Sequence, residues 1–408
     1  MLIDASDYPP LKQPAQQWGA AAKSAAVAGA TPKQRIAVLS SYSRSLTNFR
    51  LELLRRLVEA GHSVVAVGPE QDEEVVNQLA GIGVEFVQTS MARTGLNPLT
   101  DLATLWSYWR LLRTRKIDVV IPYTMKPIVY GGIAARLAGV KRRYFLVTGL
   151  GHVYSDAASK RWLGRRVKQI SILLYRLALK GAGGVFAYNR ADTADIASCG
   201  LMSDLRDLTL VPGSGVDLDH YAFSQPPVGR PVFLLIARLL KDKGIIEYAE
   251  AARLVRQQYP EAEFRLLGQY DPSPAAISAD TMAGWVKDGS LTYLGETTDV
   301  RPHLAECSVF VLPSYYREGI PRSILEAMST GRAIVTTDLP GCDETVRDGV
   351  NGYLVEPRNA RQLAEVLCRF LKAPSLVAEM GLRSRELAQS KFDVHAVNKL
   401  LLDRMALL

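Results

Sequence analysis

Residues 314–328 read SYYREGIPRSILEAM and connect a predicted strand to a predicted helix. The residues just before them, 307–313, are mostly apolar and end in proline, which is typical of a strand buried in a parallel sheet. Pro321 suits the first turn of a helix, and apolar residues at helical spacing continue that helix as far as Gly331. The stretch therefore lies where the carboxyl end of a strand meets the N-terminus of a helix.

Two carboxylates flank this turn, with Glu318 before the predicted helix and Glu326 about one turn inside it. Backbone N–H groups and the helix dipole favour an anion at such a position. Carboxylates accept hydrogen bonds from the hydroxyls of a sugar or a ribose. A phosphate at the amides with hydroxyls at the acids indicates a nucleotide sugar. The plain alternative is two surface glutamates on a core helix.

The whole stretch resembles the donor site of retaining GT-B glycosyltransferases of the GT4 type. The resemblance rests on the Glu-x7-Glu spacing of Glu318 and Glu326 and on two later runs, residues 333–341 and 348–352. It points most strongly to bacterial enzymes that build lipid-linked oligosaccharides and capsular polysaccharide. It implies an α/β protein in which two Rossmann-like, doubly wound domains face each other across a cleft.

Composition favours a two-domain protein, because 408 residues exceed what one core usually supports. The four cysteines are widely spaced and form no C-x-x-C pair, which predicts reduced, mostly buried thiols of a cytosolic protein. The five histidines are equally scattered, so no metal site is expected. Neither a run of about twenty apolar residues nor a signal-peptide pattern is present, which predicts a soluble or peripheral protein.

The domain boundaries follow from the strand signals and the linkers between them. Residues 1–33 are rich in Ala, Gln and Pro and are expected to be a poorly ordered extension. Residues 34–224 are predicted to form the acceptor-binding Rossmann-like domain, and residues 225–390 the domain that binds the nucleotide sugar. Residues 391–408 are expected to form a helix that crosses back to the first domain, as in other GT-B proteins.

The first domain opens with a βαβ pattern, which starts a parallel doubly wound sheet. We predict a strand at 35–39, a loop at 40–50 and a helix at 49–59. The loop lacks the paired glycines that many GT4 enzymes have there, but it resembles the Asn-Phe-Arg version of the lipid-linked-sugar branch. Asn48 and Arg50 are therefore expected on the acceptor side.

Two later loops of this domain also carry candidate residues. Lys126 follows the predicted strand 117–122, where it either meets a phosphate in the cleft or is a solvated loop lysine. Gly149 and Gly151 let the backbone come close to a ligand and are similar to the same enzyme branch. His152 matches a histidine that many family members place against the donor sugar, although related sequences often have an aromatic residue there.

A second sheet begins after the linker. Residues 185–189 are predicted as the last strand of the first half, and the apolar run 208–212 follows it. The second half opens with a strand at 231–236, after which come Arg238 and Lys243. Arginine offers a two-pronged donor and lysine a point charge to a diphosphate. The resemblance assigns both cations to the donor pyrophosphate.

The resemblance implies the other donor contacts as well. Glu318 is expected to bind sugar hydroxyls, Glu326 the ribose, and the amides of Gly319 and Ile320 the diphosphate. Two positions are expected beside the nucleobase, Gly268 and Leu294.

The positive charge of the chain lies in its first half. Residues 1–220 contain 27 Lys and Arg against 18 Asp and Glu, whereas the remainder contains 22 against 23. This half is either a solvated basic surface or faces an anionic membrane or a diphosphate-bearing acceptor. Residues 160–180 start basic, with Trp162, and end apolar, which fits an interfacial helix or a core helix. Nucleic acid is not expected, because no binding motif accompanies the charge.

The resemblance, together with these patterns, implies a retaining glycosyltransferase on the cytoplasmic face of the membrane. It would move a sugar from a nucleotide-sugar donor, a UDP-sugar, to a polyprenyl-diphosphate-linked saccharide or a growing surface polysaccharide. Arg238 and Lys243 would stabilise the leaving diphosphate, so no metal or other cofactor is expected. The alternatives are a nucleotide-sugar epimerase or hydrolase, and a non-catalytic scaffold, for which loss of Glu318 or Arg238 would be expected.

Overall fold

The computed structural model describes residues 32–91, 97–150 and 162–408, with side chains from residue 164 onward in the last range. The predicted N-terminal extension up to residue 31 lies outside the described residues. So do Gly151, His152 and the basic residues up to 161. Within the described ranges, the chain forms two parallel sheets of seven and six strands, each covered by helices.

The first sheet has the strand order β3-β2-β1-β4-β5-β6-β7. Its strands are β1 (Arg35–Leu39), β2 (Ser63–Gly68), β3 (Glu85–Gln88), β4 (Val119–Pro122), β5 (Arg142–Val147), β6 (Gly184–Ala187) and β7 (Leu208–Leu210). The prediction that 185–189 is the last strand was wrong, because β7 pairs beyond β6. All three residues of β7 are only half-buried, so this edge strand lacks the strong apolar signal of the central ones.

In the part of the first domain that the structure describes, six α-helices cover both faces of this sheet. They are α1 (Arg44–Glu59), α2 (Glu73–Gly81), α3 (Pro98–Thr114), α4 (Gly132–Leu137), α5 (Trp162–Leu179) and α6 (Arg190–Ser198). Alternate residues of β1 show the two layers: Ile36 and Val38 pack with α1 and α2, whereas Ala37 and Leu39 pack with α3 and α4. Burial on both faces explains why the strands are apolar throughout.

Helix α1 begins earlier than the sequence indicates. The predicted loop 40–50 ends at residue 43, and Asn48 and Arg50 lie on the helix. Leu46 is fully buried and starts the apolar face, but the next position on that face is Arg50, which is only 2% exposed. Arg50 is a cation at a position where the helical pattern requires an apolar residue. The first two turns of α1 therefore lack a recognisable helical pattern in the sequence.

The second sheet has the order β10-β9-β8-β11-β12-β13. Its strands are β8 (Val232–Ile236), β9 (Glu263–Leu267), β10 (Thr292–Tyr293), β11 (Val309–Leu312), β12 (Ala333–Thr337) and β13 (Gly352–Val355). Its helices are α7 (Ile245–Gln258), α8 (Ala279–Lys287), α9 (Arg301–Glu306), α10 (Arg322–Ser329), α11 (Ala360–Lys372) and α12 (Ser375–Lys391). The strand order reverses between β8 and β11, as it does between β1 and β4 in the first sheet. Ligands of open α/β sheets bind at such switch points.

The chain passes between the domains twice, and the two passages run side by side. The N–H of Val216 donates to Phe392 O at 2.7 Å, and the N–H of Val394 donates to Val216 O at 3.0 Å. Helix α13 (Val394–Met405) then packs into the core of the first domain through Leu401 and Leu402. The last helix of the chain therefore completes the first domain.

Candidate active site

The candidate site is centred on a cation and a carboxylate at the switch point of the second sheet. Lys243 follows β8, Glu318 follows β11, and the Lys243 ammonium forms an ion pair with the Glu318 carboxylate. The Ser314 hydroxyl donates to the same carboxylate at 3.0 Å. The two charged side chains are 15% and 11% exposed, so each compensates a charge that water reaches poorly.

A glycine allows the two loops to meet. Gly244 has a positive φ of 75° and ends the short turn that contains Lys243. A Cβ at this position would overlap the carbonyl of Pro313, in the loop after β11. A residue with a side chain would therefore separate the loop of Lys243 from the loop of Glu318.

Arg238 lies in the same region, but it is more exposed and has a different partner. Its guanidinium donates to Asp271 at 2.7 Å, and the side chain is about half exposed. Burial raises the pKa of nearby Asp242, and that carboxyl also senses the charges of Lys243, Glu318 and Arg238. The site thus combines two cations, Lys243 and Arg238, with the buried carboxylate of Glu318. Among the described residues, no group of three His, Cys, Asp or Glu side chains is placed to hold a metal ion.

Glu326 is buried on α10 and is held by cationic and aromatic neighbours. Arg322, one turn earlier, donates to it at 3.1 Å and also to the carbonyl of Gly215. Burial raises the pKa of the Glu326 carboxyl, and Arg322 and Tyr221 oppose that rise. The carboxylate that the sequence assigns to a ribose is therefore already fixed in position.

The loop between the two glutamates lies against the first domain. A Cβ on Gly319 would overlap the carbonyl of Thr148, and a Cβ on Gly149 would lie 3.1 Å from the nitrogen of Gly319. Gly149 has a positive φ of 117°. The predicted acceptor-side glycine and the predicted donor-loop glycine are thus direct neighbours. Neither the N–H of Gly319 nor that of Ile320 donates to any residue that the structure describes.

Sequence reasoning missed a polar contact between the domains. The fully buried side-chain amide of Asn189 donates to the carbonyls of Glu318 and Gly319, at 3.0 and 3.2 Å. It also donates to Asp192 at 2.8 Å, and its oxygen caps α6 by accepting the N–H of Asp192. An Asn directly after a strand and before a helix signals a cap. Nothing in the sequence indicates its second role.

Two ion pairs strengthen the same contact. Arg317, next to Glu318, pairs with Asp195 and lies 3.8 Å from Asp192 on α6. Burial raises the pKa of Asp192 to about 6, and the N–H of Leu150, which donates to it at 3.2 Å, opposes that rise. The loop of Glu318 is therefore attached to α6 by both side chains and backbone.

The two predicted acceptor-side residues on α1 have different environments. Asn48 is exposed on α1, whereas the Arg50 guanidinium lies over the rings of Tyr123 and Tyr188, at 4.9 and 5.5 Å. Arg50 also donates to the Tyr188 hydroxyl. Two of its nitrogens, Nε and Nη1, are buried with no partner among the described residues. Arg50 is thus a buried cation without a carboxylate partner there.

Lys126 is neither solvated nor free. Its ammonium pairs with Asp101 at 3.0 Å, and both side chains are mostly buried. A phosphate would therefore have to compete with an existing carboxylate for this lysine. The interpretation of Lys126 as a solvated loop residue is wrong.

The two predicted nucleobase positions lie at the carboxyl edge of the second sheet. A Cβ on Gly268 would overlap the carbonyl of Ala237, so this position requires glycine for packing. Tyr293 donates to the carbonyl of Gly268 at 2.9 Å, and the N–H of Leu294 donates to Leu266 at 2.8 Å. The backbone here is fixed before any ligand arrives.

Two family models match the chain. The one described as "Glycosyl transferase 4-like domain" matches residues 46–212, and the one described as "Glycosyl transferases group 1" matches residues 230–373. Together they span most of both sheets, including Lys243 and Glu318.

Curated relatives and solved structures agree with these matches. The chain is 28% identical to an N,N'-diacetylbacillosaminyl-diphospho-undecaprenol alpha-1,3-N-acetylgalactosaminyltransferase of Campylobacter jejuni, over 84% of this chain and 90% of the relative. It is also 28% identical to a UDP-Gal:alpha-D-GlcNAc-diphosphoundecaprenol alpha-1,3-galactosyltransferase of Escherichia coli, over 70% and 73%.

Among solved structures, Anabaena HepE in complex with UDP-glucose matches with a TM-score of 0.73 at 18% identity, over 92% of this chain and 100% of HepE. That likeness shows the fold, which is GT-B. The chain belongs to the GT4-like, group 1 family and is a glycosyltransferase.

Proposed function

We propose that the protein transfers a sugar from a UDP-sugar to a polyprenyl-diphosphate-linked saccharide, with retention of configuration. The observation that carries the donor half is the Lys243–Glu318 pair at the switch point, with Arg238 beside it. Both bacterial relatives are named for a diphospho-undecaprenol-linked saccharide, and one is also named for UDP-Gal. These names support the acceptor and donor classes that the sequence predicts.

Each residue then has a chemical role. Arg238 and Lys243 stabilise the negative charge that develops on the diphosphate as the sugar–oxygen bond breaks, so that a metal ion is not required. The amides of Gly319 and Ile320 add two neutral donors. Glu318 accepts from sugar hydroxyls and Glu326 from the ribose. The acceptor hydroxyl attacks the same face, and its proton passes to an oxygen of the departing diphosphate.

A release assay tests this proposal. Purified protein is incubated with a panel of UDP- and GDP-sugars, and free nucleotide is measured with and without polyprenyl-diphosphate-linked acceptor. We expect release from a UDP-sugar that depends on the acceptor, together with a glycosylated lipid product. Release at full rate without acceptor would instead support the hydrolase or epimerase. No release from any sugar with any acceptor would support the scaffold.

We further propose that the first domain docks on an anionic membrane through the outer face of α3, α4 and α5. These helices form one layer over the first sheet, with α4 between the other two. Their outward residues include large apolar side chains at the spacing i, i+3, i+7 on both long helices. These are Leu99, Leu102 and Trp106 on α3, and Ile170, Leu173 and Leu177 on α5.

Charge identifies the partner of this face. The three helices contain seven Lys and Arg residues and one acid, Asp101, which is buried against Lys126. Apolar residues among cations suit the surface of an anionic bilayer, where each cation contributes about 1 kcal/mol. No helix in the described part of the chain is both long and apolar enough to cross a bilayer. We place this docking on the leaflet that presents the lipid-linked acceptor.

A further inference from the structure

The side chain of Asn189 belongs to the first domain but holds the backbone of the second. Its Nδ2 has two hydrogens and three acceptors, which are Asp192 and the carbonyls of Glu318 and Gly319. One hydrogen is therefore shared between two acceptors, an arrangement that is common at helix termini. Asn189 is fully buried, so no water competes for these bonds.

The two carbonyls belong to the peptide groups that also contain the N–H of Gly319 and the N–H of Ile320. A trans peptide group is planar, so its N–H points away from the direction of its C=O. Because both carbonyls turn toward Asn189, both N–H groups turn away from it. Neither of these two N–H groups donates to a described residue.

We propose that Asn189 is a positioning residue for the donor diphosphate. It orients two peptide groups of the second domain so that their N–H groups are aimed at the diphosphate before it arrives. The inference rests on the proposed function, since it requires a nucleoside diphosphate at this loop. The anion site is then complete only while Asn189 contacts the loop of Glu318. The first domain therefore controls how tightly the second domain holds the diphosphate.

Titration calorimetry with UDP and with uridine tests this role. Asn189→Asp retains an oxygen to cap α6 but loses the amide donors, so the carbonyls are released. Asn189→Ser also retains a capping oxygen and adds no charge beside Asp192, so it should show the same selective loss if orientation and not charge repulsion is the cause. At pH 8 we expect this variant to bind UDP about tenfold more weakly, a loss of about 1.4 kcal/mol. Uridine binding should change less than twofold, because uridine has no diphosphate. GDP and guanosine are measured in parallel.

The matched control is Asn97→Asp, since Asn97 caps α3 of the same domain by accepting the N–H of Leu99 at 3.1 Å. This variant should bind UDP and uridine like the wild type. Unchanged UDP affinity in Asn189→Asp would overturn the inference, and so would equal losses for UDP and uridine. Lys243→Ala separates a failure of this inference from a failure of the proposed function. If Lys243→Ala weakens binding of UDP but not of uridine, and Asn189→Asp does not, the proposed function stands and the role of Asn189 is wrong. Wild-type protein that binds neither UDP nor GDP would overturn both.

Hydrogen exchange on the wild-type protein gives a test that needs no folded variant. Adding UDP should slow exchange in peptides that cover residues 189–198 as well as 314–328, because the diphosphate tightens both sides of the contact. Protection confined to residues 314–328 would contradict the role of Asn189.

Discussion

Lys243 and Glu318 neutralise each other when no donor is bound, which lets two buried charges coexist at low cost. A bound donor changes both partnerships, because its diphosphate attracts the lysine and its sugar hydroxyls donate to the carboxylate. Arg238 reaches the same region from a more exposed position and must exchange Asp271 for the diphosphate. The two cations therefore start from different environments but converge on one anion.

Removing either cation should reduce turnover more than stability. We expect Lys243→Ala and Arg238→Ala each to lower kcat by roughly 100-fold or more, the scale of losing one preorganised donor. Nucleotide release measures this, and circular dichroism checks folding. Lys241→Ala, an exposed lysine in the same turn, is the matched control and should keep wild-type activity. Full activity in either test variant would remove its diphosphate assignment.

The two glutamates should separate kinetically. Glu326→Gln keeps the shape of the side chain but weakens a charged acceptor, so donor binding should weaken by roughly 1.5 to 3 kcal/mol. Glu318→Gln should instead reduce kcat more than it raises KM, because Glu318 lies beside Lys243 at the proposed reacting centre. Steady-state kinetics with varied donor distinguishes the two. Identical behaviour would mean that the separate roles are wrong.

At the scale of single elements, α6 is the helix that attaches the loop of Glu318 to the first domain. The pKa of Asp192 on this helix is raised to about 6, so the Asp192 carboxylate binds a proton more tightly in the folded protein than in the unfolded chain. The contribution of Asp192 to stability therefore falls as pH rises from about 4, the unfolded pKa, through about 6.

Asp192→Asn removes this titration. Between pH 4 and pH 7 its free energy of unfolding should rise relative to that of the wild type, by up to about 3 kcal/mol. Chemical denaturation across this range measures the difference. Asp204→Asn, at the N-cap of the short 3-10 helix Leu205–Asp207, should show no such rise, because the pKa of Asp204 is lowered. Parallel curves for wild type and Asp192→Asn would contradict the burial argument.

Helices α3 and α5 should carry membrane binding. We expect anionic vesicles to retain the wild-type protein at 0.1 M salt and release most of it at 1 M, since the Debye length falls from about 10 Å to about 3 Å. Replacing Trp106 and Leu173 by Ser should reduce retention at least tenfold, because each side chain loses roughly 1.5 to 3 kcal/mol of apolar burial.

The matched control for this co-sedimentation assay is the replacement by Ser of Leu254 and Val286, two exposed apolar residues of the second domain. It should bind vesicles like the wild type. Equal binding to neutral and anionic vesicles, or none to either, would leave the basic half as an ordinary solvated surface.

At the scale of the whole molecule, the C-terminal helix belongs structurally to the first domain. The Tyr144 hydroxyl donates to Met405 O at 2.9 Å, and a ring nitrogen of His62 lies 3.0 Å from Leu407 O. Leu401 and Leu402 are fully buried there. The core of the first domain is therefore complete only when α13 is in place.

Truncating that helix's core contact should destabilise the whole protein. We expect Leu401→Ala to lower the free energy of unfolding by about 2 to 5 kcal/mol, the usual cost of a buried leucine. Lys399→Ala, exposed on the same helix, should change it by less than about 0.5 kcal/mol. Chemical denaturation, followed with a probe of the core of the first domain, measures the free energy of unfolding of both variants. An unchanged free energy of unfolding in Leu401→Ala would contradict the packing of α13 on the first domain.

Local pattern was sufficient for most of the fold and for part of the site. Strands buried on both faces are apolar at every position, so β1, β4, β8 and β11 stand out in the sequence, and their alternation with helices implies two parallel sheets. The sequence also predicts Arg238, Lys243 and Glu318 at the carboxyl ends of strands, and the structure shows that these two strands, β8 and β11, are neighbours. The start of α1 was missed because Arg50 interrupts its apolar face.

Only the tertiary structure determined which groups meet. Lys243 and Glu318 are separated by 75 residues, and Asn189 and Glu318 by 129. Such contacts depend on how two sheets and two domains pack, a property that no local periodicity encodes. The amino-acid sequence by itself therefore determined the family, the architecture and the charges available to the site. Packing across the domains determined that Asn189 orients the loop of Glu318, because a side chain's partner is fixed by three-dimensional proximity and not by its neighbours in the chain.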